Sequence, residues 1–414
     1  MRPTTRLRLF QVHRWSGLTI GVLVLFLAAT GLGLQFRHQL HGLGEPASAS
    51  LRAGCTGSLP LDTQIAAARA VHPTGQYETV MLSGERGAPT LVRFSDDAQV
   101  LVDPCSATVV DRQARWGGLF GRLEQLHRLR FLDDNDLANF FTGGASIALA
   151  LLMVGGGIAL WWPSPRQTLK YSATLRPHLK GRAFDLSLHR VSGLYAGIVL
   201  LAVALTSLPL AFKWARATVN VAVGSAQPAP TPQSTPPHSD AMALTMGVLW
   251  ERAQAAFDHP TKVVLGYPKT KTDAVEIYAI ERGAPHGEAR SFAYLDAYSG
   301  DVLRREPYAA SSLGNKVYRV SAAIHSGECG LWLQWLQFIG TLAIPVLAWT
   351  GVSSFVRGRR KAAQAAKVRV RAIRDEAEGI KMFELVSAAG DRIPVCVSRS
   401  TGGARLVLDL QTVR

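Results

Sequence analysis

HRWSGL at residues 13–18 and HRVSGL at residues 189–194 are the two stretches that decide the fold. They agree at five of six positions, and a glycine follows each leucine after three residues, as Gly21 and Gly197. Each stretch also opens a long run without charged residues. A match of this kind within one chain predicts an internal duplication.

Four runs of the 414-residue chain lack Asp, Glu, Lys and Arg, at residues 15–36, 137–165, 191–212 and 329–356. A helix needs about 20 apolar residues to cross a bilayer. We therefore predict four transmembrane helices: TM1 at 15–36, TM2 at 137–163, TM3 at 190–212 and TM4 at 329–356. The first run is too long for the apolar region of a cleaved signal peptide, so we expect it to remain as a helix.

The basic residues predict the orientation of these helices. Residues 1–14, 163–190 and 357–414 hold 23 basic and 7 acidic residues, whereas the rest of the chain holds 22 and 23. By the positive-inside rule, the N-terminus (1–14), the loop 164–189 and the basic tail 357–414 are cytoplasmic. This topology, with contact to anionic membrane lipid, accounts for the net charge of +15, so no nucleic-acid partner is expected.

The two large segments between the helices, 37–136 and 213–328, would then lie outside. Each starts with a helix-like stretch and continues with alternating strand-like runs. The second also contains a Pro-rich stretch, 227–237, which predicts a flexible linker. The predicted fold class is a membrane α-helical protein, with a bundle of four transmembrane helices built from a duplicated unit and two small α+β domains.

Four of the eleven histidines hold matching places in the two copies. His13 and His189, the first pair, precede TM1 and TM3. His127 and His325, the second pair, precede TM2 and TM4. Paired neutral imidazoles in a helical bundle are the ligands of a low-spin b-type haem, so we predict two haem b groups with these four haem-iron ligands. Arg14, Arg128 and Arg190 directly follow three of them and would bind haem propionates.

Other interpretations of these residues stay open. A histidine at a membrane surface can be a simple anchor, and the arginines can be topology signals only. The glycines near the openings can serve helix packing. His38 and His41, at the end of TM1, compete for the second site, although the second copy has no counterpart for them.

The four cysteines are not in Cys-x-x-Cys pairs, which excludes a zinc ribbon, a Cys₄ iron–sulfur cluster and a covalently attached haem. Cys55 and Cys105 lie in the first outer segment and are disulfide candidates, with Cys329 as a competitor. The chain has no phosphate-binding glycine loop, and the Gly155-Gly156-Gly157 run in TM2 is interpreted as helix packing.

The duplicated plan, the His-Arg-x-Ser-Gly openings, Leu-His-Arg before TM2 and Ile-His-Ser-Gly before TM4 resemble the PepSY-associated transmembrane proteins. The resemblance covers residues from about 5 to about 362, and the outer segments resemble divergent PepSY domains. Within that family, the inner-membrane ferric-siderophore reductases carry two b-type haems. The resemblance implies the same haem ligands, His13, His127, His189 and His325, in a bacterial inner membrane with both termini cytoplasmic.

The implied activity is an oxidoreductase that passes electrons from the cytoplasmic side to a periplasmic ferric-siderophore and releases ferrous iron for uptake. Its electron donor, a flavoprotein or a quinol, is not identified by any motif. Two alternatives remain: a haem conduit to another periplasmic acceptor, and a non-enzymatic membrane-anchored PepSY binding or regulatory protein without haem.

Overall fold

A computed structural model describes residues 3–37, 39–40, 57–85, 88–162, 169–238, 240–365, 369–377, 380–386 and 392–398. The chain divides into two compact units. The first contains Met1–Thr174 and Arg190–Ala348, and the second contains Leu175–His189 and Trp349–Arg414.

Four helical segments are long and apolar enough to cross a membrane: Thr4–Leu34, Asn135–Trp161, Gly181–Ala211 and Leu331–Arg360. The α-helices of the described residues are α1 (Pro3–Leu34), α2 (Leu61–Val71), α3 (Gly118–His127), α4 (Asn135–Leu151), α5 (Ala159–Trp161), α6 (Leu169–Ala173), α7 (Gly181–Ala211), α8 (Lys213–Ala222), α9 (Met246–Ala253), α10 (Leu313–Ser326), α11 (Leu331–Thr341) and α12 (Ala343–Ala365). The chain is therefore a membrane protein.

Helices α1 and α7 begin well before the runs that the sequence marks as TM1 and TM3. α1 starts at Pro3 and α7 at Gly181, so His13 and His189 lie within helices rather than in the connections before them. The difference has a simple reason, because hydropathy marks the part of a helix that suits a bilayer, whereas backbone hydrogen bonding continues through charged turns.

Two of the membrane helices are interrupted. Between α4 and α5 the chain forms a π-helix at Leu152–Ile158, which includes the glycine run. Between α11 and α12 the break falls at Leu342, shortly before Pro345. Proline fits the first turn of a helix, where its missing N–H has no partner to lose, and Pro345 accordingly lies in the first turn of α12.

The helices of the first unit pack through small and aliphatic residues. Their buried cluster draws on α1, α4, α7 and α12, and its members are Val24, Ala28, Ala145, Ala196, Leu200 and Ile344. Small side chains let helix backbones approach closely, which favours association in lipid, where burial of apolar surface gives no advantage.

The first unit also contains one antiparallel sheet of eight strands. The strands are β1 (Tyr77–Ser83), β2 (Thr90–Phe94), β3 (Ala98–Val102), β4 (Val109–Ala114), β5 (Pro260–Gly266), β6 (Val275–Glu281), β7 (Arg290–Leu295) and β8 (Val302–Glu306). Their order across the sheet is β4-β3-β2-β1-β5-β6-β7-β8. The strands of the two outer segments therefore meet edge to edge.

The junction of the two halves is the pair β1 and β5. Val80 is opposite Leu265, and Met81 is opposite Val264. Because β1 and β5 pair with each other, neither half leaves an unpaired edge strand at this position. An unpaired edge strand in a small sheet can pair with another chain and cause aggregation. The sequence predicts two small α+β domains at 37–136 and 213–328, and the structure joins their strands into one sheet.

One face of this sheet carries the main hydrophobic core. Fully buried residues alternate along the strands, as Val80, Val92, Val100, Leu265 and Ile277 illustrate. Helices α2 and α9 cover this face, and Asp62 of α2 accepts hydrogen bonds from the Thr245 hydroxyl (2.6 Å) and the Gly247 amide (2.9 Å) at the start of α9. The two halves therefore share a core as well as a sheet.

The Pro-rich stretch is anchored to the sheet, which corrects the expectation of a flexible linker. The Ser234 hydroxyl donates to the carbonyl of Asp273 (2.9 Å) and accepts from the amide of Ala297 (2.9 Å). Ser234 is buried. A proline-rich sequence removes backbone donors but leaves such side-chain bonds available, so composition alone did not reveal the anchoring.

The second unit combines the start of α7, the end of α12 and a small antiparallel sheet in the tail. Its strands are β9 (Arg369–Ala377), β10 (Ile380–Val386) and β11 (Arg392–Ser398), with β10 in the centre.

Candidate functional site

The structure brings the second pair of histidines together. His127 is the last residue of α3, and His325 is the penultimate residue of α10. Their ring centroids lie 6.4 Å apart and their planes are tilted by 35°. The two residues belong to different halves of the chain, so only the tertiary fold can place them side by side.

Backbone groups orient both rings. Nδ1 of His127 lies 3.0 Å from the carbonyl oxygen of Leu27 and 3.1 Å from the Thr30 hydroxyl. Nδ1 of His325 lies 3.3 Å from the carbonyl oxygen of Val203. A carbonyl oxygen can only accept, so Nδ1 carries the proton in each ring and Nε2 keeps its lone pair. An imidazole held in this way is prepared to ligate a metal through Nε2.

The two orienting carbonyls hold matching positions in their helices. Leu27 follows His13 in the sequence at the same offset at which Val203 follows His189. α1 therefore orients the ring of His127, and α7 orients the ring of His325 in the same way.

Both imidazoles of the second pair are neutral near pH 7. Burial, followed by the neighbouring His325 ring, lowers the pKa of His127 to about 4. Burial also lowers the pKa of His325. A neutral imidazole is the form that binds iron, so the environment favours ligation over protonation.

The spacing of the rings fits a shared iron. A metal–nitrogen bond of about 2 Å on each side, with about 1.1 Å from nitrogen to ring centre, gives a centroid separation of about 6.2 Å. The observed 6.4 Å agrees with this value. Among the described residues no group of three or more His, Cys, Asp or Glu side chains could hold a bare metal ion. The 6.4 Å separation is compatible with two imidazoles that ligate one metal ion.

The first pair is divided between the two units, with His13 in the first and His189 in the second. His13 is hydrogen-bonded to the backbone of Leu152. Its ring packs on Gly156, where a Cβ would overlap Nδ1. The π-helix thus brings a bare backbone against the imidazole, and such turns occur often at functional sites. The interpretation of the glycine run as helix packing alone missed this role of Gly156.

The ring of His189 is oriented by α12, in the same unit. Its Nδ1 lies 2.9 Å from the hydroxyl of Thr350, which is buried in α12. In the sequence, the offset from His127 to Leu152 equals the offset from His325 to Thr350. The contacts of His13 and His189 therefore fall at matching positions, although one partner is a backbone group and the other is a side chain.

A buried carboxylate in the second unit was not singled out in the sequence. Asp185 precedes His189 by one helical turn and is 5% exposed. It accepts a hydrogen bond from the Ser353 hydroxyl (2.8 Å) and lies 3.4 Å from Nε of Arg357. A lone acid among the basic residues of 163–190 was the available signal.

Thr30 is a second residue that the sequence reasoning missed. Its hydroxyl contacts Nδ1 of His127. The available signal was a threonine that recurs at the same offset from each opening histidine, as Thr30 after His13 and Thr206 after His189.

The three arginines lie in different settings. Arg128 forms an ion pair with Glu124 (2.9 Å), which also pairs with Arg37 (3.0 Å). Arg14 donates to Gln11 and lies over the ring of Trp15. Arg190 is half-buried in α7. Propionate binding by these arginines stays a prediction.

Cys105 is disulfide-bonded, and Cys329 is a free thiol, so Cys329 does not compete for the bond. The predicted partner Cys55 lies outside the described residues, as do the rival histidines His38 and His41. The Cys55–Cys105 pairing therefore stays a prediction.

Comparison with known families matches residues 10–357 to a family model described as the PepSY-associated TM region. A search of curated proteins found no match.

Proposed function

The chain belongs to the family of PepSY-associated transmembrane proteins, and from this premise we propose that it is a di-haem b-type reductase of the bacterial inner membrane. It passes electrons from the cytoplasmic side to a periplasmic ferric-siderophore or other ferric chelate. The observation that carries the proposal is the second pair, in which two neutral imidazoles lie 6.4 Å apart and are each oriented through Nδ1.

The residues of the chain do three things at this site. His127 and His325 would hold the haem iron through Nε2, because the carbonyls of Leu27 and Val203 each accept a hydrogen bond from Nδ1 and leave Nε2 unprotonated. The apolar helices lower the local polarity and disfavour protonation of the rings. A haem b bound there supplies a one-electron carrier that alternates between Fe(III) and Fe(II).

The duplication, which we propose as the origin of both halves, also predicts a second haem b, with His13 and His189 as its candidate ligands. Matching contacts support the duplication, since the orienting groups recur at equal distances along the chain from the histidines of each copy. The proposed topology follows the basic residues, with both termini in the cytoplasm and the eight-stranded sheet in the periplasm.

The proposed reaction reduces Fe(III) to Fe(II). Hard oxygen ligands hold Fe(II) less tightly, so reduction loosens iron from an oxygen-based chelator. The electron donor is a cytoplasmic flavoprotein or a quinol, and anionic lipid contacts the basic segments.

The deciding experiment is an absorption spectrum of the purified, dithionite-reduced protein with a determination of haem per chain. We expect a b-type α-band and two haems per chain, followed by ferrous iron release from a ferric chelate when reductant is supplied. A haem-containing protein that ignores ferric chelates indicates a conduit to another acceptor. A colourless protein indicates a membrane-anchored PepSY binding protein and overturns the proposal.

A further inference from the structure

A cavity of about 440 Å³ lies where the eight-stranded sheet meets the helices of the first unit. Strands β5 and β6 contribute Thr261, Lys262 and Ile280 to its wall. The turn between α10 and α11 contributes Gly327, Glu328 and Gly330, and α11 contributes Leu331 and Gln334. The cavity therefore opens between the sheet and the helix that ends at the second pair.

The cavity wall is close to His325. Gly327 follows His325 by two residues, so their Cα atoms are at most about 7.6 Å apart. Gly327 has a φ of +77° and ends α10, with its amide 3.2 Å from the Ile324 carbonyl. Only glycine adopts this backbone readily, and a Cβ there would also overlap the amide of Gln35. The turn that lines the cavity is thus fixed at the end of the helix that carries His325.

Amide groups connect the same turn to the membrane helices. Gln39 donates to the Oε1 atom of Gln334 (2.9 Å), and Gln35 donates to the Oε1 atom of Gln337 (3.2 Å). Gln337 in turn donates to the carbonyl of Ile324. Gln334 and Gln337 are buried. This network holds the floor of the cavity in one arrangement relative to α10.

The formal charges of the residues that line the cavity sum to zero. Lys262 supplies one ammonium group and Glu328 one carboxylate, which packs against Gly287. The remaining lining consists of amides, glycine backbone, a threonine and two aliphatic side chains. Such a surface offers hydrogen bonds to oxygen atoms, but it does not compensate a ligand with a large charge of one sign.

We propose that this cavity binds the ferric chelate that receives the electron, and that it favours an oxygen-rich chelate without net charge over a highly anionic one. This inference rests on the proposed function. The chelate takes up one electron, so Fe(III) becomes Fe(II), and that electron would come from a reduced haem b held by His127 and His325. No covalent bond is broken in the transfer, and the cytoplasmic donor restores the electron.

Binding is tested without redox chemistry by using Ga(III) tris-acetohydroxamate, an uncharged, all-oxygen complex of a redox-inert ion. Equilibrium dialysis of the full-length protein in detergent measures its affinity, with the trianionic Ga(III) tris-catecholate for comparison. We expect the uncharged complex to bind at least about tenfold more tightly than the trianion. Equal or weaker binding of the uncharged complex overturns the charge preference.

The site is tested by substitutions in the lining. Leu331→Trp fills the cavity from an exposed position, and Leu303→Trp on β8 is the matched control outside it. We expect Leu331→Trp to weaken binding about tenfold or more and the control to leave it unchanged. We also expect Lys262→Ala to weaken binding of the chelate. Lys269→Ala, elsewhere on the surface, is its control and should leave binding unchanged.

The two proposals fail separately. A protein that contains no haem but binds the gallium chelate, with loss in Leu331→Trp, keeps the cavity and overturns the proposed reductase. A haem protein in which Leu331→Trp and Leu303→Trp bind the chelate equally overturns the cavity. In the haem protein, re-oxidation of the reduced haem, followed at its α-band, by Fe(III) tris-acetohydroxamate should slow in Leu331→Trp and not in Leu303→Trp.

Discussion

The ring of His127 at the end of α3 lies 6.4 Å from the ring of His325 near the end of α10, measured between centroids. Each ring is oriented through Nδ1 by a carbonyl of a different membrane helix, α1 for His127 and α7 for His325. The two helices that precede the TM2 and TM4 segments therefore meet at one point, and the proposed function depends on it.

Replacing either member of this pair should remove one haem. His127→Ala and His325→Ala each delete a proposed haem ligand, so we expect about half of the haem to be lost in both variants. Haem per chain and the reduced spectrum measure the loss. His259→Ala, at a side chain that is 74% exposed, is the control and should keep the full content. Full retention in His325→Ala would contradict the assignment.

A side chain at Gly156 should disturb the first haem site. Gly156→Val pushes against Nδ1 of His13, because the added Cβ overlaps that atom. We expect the loss of about half of the haem while the spectrum of the second site is retained. Gly155→Ala, where a Cβ meets nothing within 4 Å, is the matched control. Loss of the second site in place of the first would disprove this role for Gly156.

Asp185 should stabilise the second unit. Asp185→Ala removes the acceptor of the Ser353 hydroxyl and the partner of Arg357. Loss of a buried, charged acceptor costs about 1–3 kcal/mol, so the thermal midpoint should fall by a few degrees. Asp240→Ala, at an exposed position, should leave the midpoint unchanged. Because Asp185 lies one turn from His189, we also expect Asp185→Ala to shift the reduction potential of the haem proposed for the first pair.

Acid should destabilise the haem-free protein through the second pair. The pKa of His127 is about 4 in the folded protein, against 6.5 for a free imidazole. Between these values the unfolded chain binds more protons, so stability falls as pH decreases from 6.5 to 4 and is constant above this window. The contribution of His127 is about 3 kcal/mol at most.

Thermal unfolding in detergent across this pH range measures the effect. His127→Gln should flatten the dependence on pH relative to the unmodified chain, because glutamine does not titrate. An unchanged slope in this variant would assign the acid sensitivity to other groups.

Much of the architecture was predictable because hydropathy is a local property. Long uncharged runs revealed all four membrane helices, and alternation along strands revealed the sheet regions. The starts of α1 and α7 were not found, because hydrogen bonding along a helix does not depend on hydropathy. The repeated openings pointed to His13 and His189, and the matching places before TM2 and TM4 pointed to His127 and His325. The resemblance to the family rested on the same motifs, and the family is confirmed.

Other features depend on partners far apart in the chain. The alternation of apolar residues along β1 and β5 does not indicate that these strands pair with each other. The same pattern suits an edge strand and a central strand, because the two differ only in the neighbouring strands. The burial of Asp185 also depends on distant partners. From the sequence alone, a carboxylate among basic residues is interpreted as a solvated charge, and only the fold places Ser353 and Arg357 next to it.

The sequence by itself determined the membrane helices, the internal match and the identity of four candidate ligands, because these follow from composition and order along the chain. Only the tertiary structure decided that His127 and His325 face each other, that their Nδ1 atoms are occupied by the carbonyls of Leu27 and Val203, and that two sets of four strands form one sheet. These are relations through space, and they arise when packing brings distant backbone and side-chain groups within bonding distance.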